Sequence, residues 1–81
     1  MSGRTAHTAS AAEVREARKT IARVEKALQR IHEKEARLHA EMATAANDHT
    51  VLARLTGQLR ELAAQESALE EEWLVAAEIA G

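Results

Sequence analysis

The sequence predicts an all-α protein, an antiparallel two-helix coiled-coil hairpin. Three observations lead there. The 81 residues contain no Pro and a single aromatic residue, Trp73, and are rich in Ala, Leu, Glu, Arg and Lys, the composition of long helices rather than of sheets. Apolar residues recur with alternating steps of three and four over two long stretches, the a and d positions of a heptad. Between them the pattern stops once, at Ala46-Asn47-Asp48-His49-Thr50.

Residues 1 to 9 are small and polar, with no apolar period, and read as a flexible tail or linker. Ser10 followed by Glu13 is a capping box, so helix 1 is expected over about 10–46. Its seam is Val14, Ala17, Ile21, Val24, Leu28, Ile31, Glu35, Leu38, Met42 and Ala45. A turn over about 47–50 follows, in which Asn47 can take a left-handed conformation and Asp48 can cap the next helix. Helix 2, about 51–80, continues with Leu52, Leu55, Leu59, Leu62, Glu66, Leu69, Trp73, Ala76 and Ala80. So short a connection makes the helices antiparallel neighbours, each ~50 Å long at ~1.5 Å per residue.

A single register fits every layer of that hairpin. Leu38 faces Leu59, Leu28 faces Leu69, Ile21 faces Ala76 and Val24 faces Trp73, so the indole is expected to fill the seam at the open end. Glu35 then faces Leu62 and Glu66 faces Ile31. They read as polar breaks that pin the register, with their carboxylates reaching toward Lys34 or Arg30 at the seam edge. Gly57 falls on the outer face, where it costs about 1 kcal/mol against Ala.

The composition narrows the function. A chain this short makes one small domain and offers no pocket walled by several elements, so no enzymatic activity and no small-molecule substrate are expected. There is no Cys, which excludes a disulfide framework and Cys-ligated zinc and fits a cytoplasmic location. No stretch approaches the ~18 apolar residues of a membrane span. The three Gly stand alone at 3, 57 and 81, so no phosphate-binding loop exists. His32-Glu33-Lys34-Glu35-Ala36 begins like a zinc-protease helix but lacks the second His. His39 is seven residues on, ~10 Å of helical rise away, too far to share one ion. No metal site and no cofactor are therefore expected.

What remains is binding. Helix 1 carries eight Arg or Lys against six Glu, and helix 2, from Asp48 onward, two Arg against seven acidic residues, a net +2 against −5. Such opposition favours closure of the hairpin, although exposed pairs are worth only ~0–1 kcal/mol each. Lys19, Arg23, Lys26, Arg30 and Arg37, with Glu33 among them, follow the c and f positions opposite the seam and form a basic stripe. A row of cations can track a phosphate backbone of DNA or structured RNA, without sequence preference because no aromatics interleave to stack on bases. Leu74, Val75 and Ile79 extend the apolar surface beyond the seam beside Trp73, a set suited to protein interaction. A lone hairpin buries little, so self-association as a homodimer or docking onto a parent protein is expected.

The stretches Glu16-Ala17-Arg18-Lys19-Thr20-Ile21-Ala22-Arg23-Val24-Glu25 and Leu69-Glu70-Glu71-Glu72-Trp73-Leu74, with Glu78, resemble the C-terminal coiled-coil domain of ABC-F ATPases of the Uup type. The resemblance covers roughly residues 13 to 80 and not the two ATPase cassettes. It implies a non-catalytic appendage of a translation-associated, ribosome-acting ATPase that contacts DNA or RNA, with the cassettes as parent partner. The alternative is a structural protein-interaction or dimerisation hairpin with no nucleic-acid role.

Overall fold

The computed structural model describes residues 9–81, and most of the reading of residues 1–9 as a tail lies outside them. Two helices make up the fold: α1, Ala11–Thr44, and α2, His49–Ala80. They pack against each other along a rod measuring 59 × 23 × 12 Å. No strand is present among the described residues.

The helix starts are set by their caps. Ser10 is in extended conformation, its backbone N–H donates to Glu13 Oε1 at 2.8 Å, and Glu13 N–H donates to Ser10 Oγ at 3.1 Å. Two of the amide groups that a helix start leaves unpaired are thereby satisfied reciprocally. At α2, Asp48 is also extended and its Oδ1 accepts from Val51 N–H at 3.1 Å.

The turn differs from the sequence expectation. Asn47 does not adopt a left-handed conformation; among the described residues only Gly81 has positive φ. α1 ends at Thr44, where the Ala45 N–H is shared between the carbonyls of Glu41 and Met42 at 3.0 and 3.2 Å. The Thr44 hydroxyl donates to the Glu41 carbonyl at 2.9 Å, and Asp48 N–H to the Ala45 carbonyl at 2.9 Å. Tightening of the last turn thus satisfies carbonyls that a left-handed cap would otherwise serve. α2 begins at His49 because its cap is Asp48 itself.

Cross-helix contacts fix the register. Glu25 meets Trp73 and His32 meets Glu66, so seven residues forward on α1 correspond to seven backward on α2. This is the antiparallel register that the facing of Val24 with Trp73 requires.

Every seam position read from the heptad is buried or half-buried. The deepest are d positions: Ala17, Val24 and Ile31 on α1, and Leu55, Leu62 and Ala76 on α2, with Val24 and Leu55 fully enclosed. The a positions, which include Glu35, Glu66 and Trp73, are half-buried throughout. Two helices have one seam with water on both sides, and the carboxylates occupy its wetter rows. No polar or charged side chain is buried among the described residues.

Candidate interaction surfaces

The heptad divides the rod into two edges. On one edge the α1 residues at e positions reach α2: Trp73 Nε1–H donates to Glu25 Oε2 at 3.1 Å, and His32 Nε2 lies 3.0 Å from Glu66 Oε2. A carboxylate only accepts, so His32 donates there. The partner of Glu66 is therefore His32 rather than Lys34 or Arg30, because position 32 lies at the seam edge on the side to which Glu66 points. Glu35, also half-buried, has its carboxylate in the same cluster: ligand atoms of His32, Glu35 and Glu66 all lie within 4.8 Å of one another. Glu35 makes no side-chain hydrogen bond or ion pair with any described residue.

On the other edge, Arg23 is ion-paired with Glu72. Two open grooves lie along it. The one near the turn is lined by Lys34, Arg37 and Arg54 together with Glu41 and Glu61, over Leu38, Leu62 and Gly57. The one at the open end is lined by Glu13, Glu16, Glu71 and Glu72, with Val75, Ala76 and Ile79. Among their charged lining residues the groove near the turn has three cations and two acids, and the groove at the open end has acids alone. At Gly57 a Cβ would meet nothing within 4 Å, so the backbone there stands open to a visitor.

The basic stripe is exposed along its whole length. Its members are not equivalent. Arg23 is held by Glu72 of α2, and Lys19 is paired with Glu16 at 3.5 Å on its own helix. Lys26, Arg30 and Arg37 make no ion pair with any described residue. α2, with its excess of carboxylates, lies alongside and offsets part of the positive field that α1 would show alone.

The four residues marked as a protein contact are also divided. Trp73 is half-buried and hydrogen-bonded, a seam residue. Leu74, Val75 and Ile79 are 59%, 60% and 40% exposed and are the large apolar side chains left most open among the described residues. Val75 and Ile79, one helical turn apart, share the open-end groove; Leu74, rotated about 100° from Val75, lies outside its lining.

Sequence reasoning examined His32 and His39 as a pair and missed the trio of His32, Glu35 and Glu66. The signal was present in the heptad: an i, i+3 pair on α1 and a seam acid on α2 one layer away. No helix among the described residues is long and apolar enough to cross a membrane. Comparison with family models, with curated proteins and with solved structures returns no match for this chain.

Proposed function

We propose that this chain is a non-catalytic coiled-coil hairpin that acts as a protein-interaction module, joining a second copy of itself through the groove edge of the rod. The observation that carries this reading is the placement of Val75 and Ile79, one helical turn apart near the end of α2, both exposed and sharing the open-end groove. Apolar surface gathered in one place rather than scattered marks a contact.

A second copy suits the charge pattern. A twofold axis across the rod sets each open end, lined by Glu13, Glu16, Glu71 and Glu72, against the partner's turn, where Lys34, Arg37 and Arg54 line the groove. Val75 and Ile79 then meet the groove floored by Leu38 and Leu62, at the height where Gly57 leaves room. Apolar burial supplies the affinity and the charges set the orientation. Sedimentation equilibrium tests it. A dimer is expected that V75S with I79S converts to monomer without loss of helicity; an 8.8 kDa monomer at every concentration for the unaltered chain rejects the reading.

A second reading is favoured by the exposed, unpaired Lys26, Arg30 and Arg37 and by the resemblance of residues 69–74 to the closing run of ABC-F coiled coils. In it the hairpin is an appendage of a translation-associated ATPase and its stripe contacts nucleic-acid phosphates. Fluorescence anisotropy with labelled duplex DNA and structured RNA separates the two. Saturable binding that falls steeply with salt and is lost in R23E/R30E supports the second reading; no binding at low salt removes it.

A further inference from the structure

We infer that His32, Glu35 and Glu66 form a divalent-cation site that clips α1 to α2. Their ligand atoms lie within 4.8 Å of one another, and the His32 to Glu66 separation is 3.0 Å. Two ligands on one tetrahedral Zn²⁺ stand about 3.3 Å apart at metal–ligand lengths of ~2.0–2.1 Å. The trio therefore needs only small side-chain adjustments, and all three side chains are at least partly open to solvent, where such adjustment is free.

Two further observations point to a cation. Both carboxylates replace apolar residues in the seam, and they converge on one point rather than turning outward. Glu35 is half-buried beside the charge of Glu66, yet its side chain makes no hydrogen bond or ion pair with a described residue. Two carboxylates brought together in this way repel each other, and His32 Nε2 is hydrogen-bonded to Glu66 only. A dication between them neutralises both; His32 becomes the third ligand through a ring nitrogen freed of its proton, which moves to the other ring nitrogen or to solvent, and water completes the coordination.

The donor set selects the metal. One imidazole and two carboxylates suit Zn²⁺ and neighbouring first-row dications, whereas Mg²⁺ and Ca²⁺ prefer more oxygen ligands. His32 and Glu35 come from one helix face three residues apart and Glu66 from the other helix, so the ion closes the hairpin instead of decorating one helix. Binding is then linked to folding. The site lies on the edge opposite the two grooves and stands or falls independently of self-association.

Isothermal titration of the full chain with ZnCl₂ in chelator-free buffer, with thermal unfolding followed by circular dichroism, tests the inference. One Zn²⁺ per chain is expected, with a midpoint raised by about 10 °C or more at a hundredfold excess over Kd. Mg²⁺ and Ca²⁺ should leave the midpoint unmoved. E35Q and E66Q keep shape and helicity and should each weaken Zn²⁺ binding at least tenfold, as should H32A, while H39A binds as before. Absence of binding by the unaltered chain overturns the site, and so does binding that persists in E35Q and E66Q or that H39A removes.

Discussion

Trp73 reaches across the hairpin to Glu25, its indole N–H donating to the carboxylate at 3.1 Å. The residue therefore has two attachments, the ring in the seam and the nitrogen at its edge, and they separate by substitution. W73F keeps most of the ring and should lose about 0.5–1.5 kcal/mol from the hydrogen bond, at the low end because the pair is exposed. W73A loses the packing as well and should fall well below W73F in thermal midpoint by circular dichroism.

Depth in the seam sets the cost of truncation. Leu55 is fully enclosed and Leu74 is 59% exposed, though both are leucines of the same helix. L55A should cost about 2–5 kcal/mol in urea unfolding, and L74A within about 0.5 kcal/mol for the monomer. Equal effects would mean that the seam does not run through position 55.

The caps make a sharper comparison. S10A and D48A should each cost about 1 kcal/mol, because each removes a side-chain oxygen that accepts from a helix amide. N47G should bring no gain, since Asn47 lacks the left-handed backbone that Gly would relieve. A clear rise in midpoint for N47G would show a left-handed turn in solution.

Gly57 lies within α2, exposed, with open space where a Cβ would stand. G57A should raise stability by about 1 kcal/mol, as helix propensity alone dictates. Measured by chemical denaturation at a concentration where the chain is monomeric, a loss instead of a gain would reveal a neighbour at this position.

Replacing both seam acids, E35L with E66L, should stabilise the helices and loosen their pairing. Leucine fills two half-buried seam positions, and the polar breaks that single out one register disappear. A higher midpoint together with larger or mixed assemblies in light scattering is the expected result.

The heptad made much of this fold legible before any coordinates. Alternating three- and four-residue steps identify the seam, and those same positions are the ones withdrawn from water. Ser10 and Asp48 announce the helix starts through chemistry local to four residues. The turn was less legible: a left-handed Asn and a tightened, bifurcated last turn satisfy the same carbonyls, and composition does not separate them. The candidate surfaces divide in the same way. Exposure of Leu74, Val75 and Ile79 follows from their heptad places, but which of them share a groove depends on how α1 passes beside them. The cluster of His32, Glu35 and Glu66 requires both helices at once, so reading α1 alone could not assemble it.

The deep row of the seam is uneven: Ala17 and Ala76 occupy it at the open end, while Ile31, Leu55 and Leu62 occupy it toward the turn. Pulled apart at its two ends, such a hairpin parts as a zipper, one layer after another, starting where the teeth are smallest. Amide hydrogens of the first turns of α1 and the last turns of α2 will exchange soonest, and those around Leu55 last. Tension applied at both ends therefore opens the alanine layers first and meets its greater resistance beyond them.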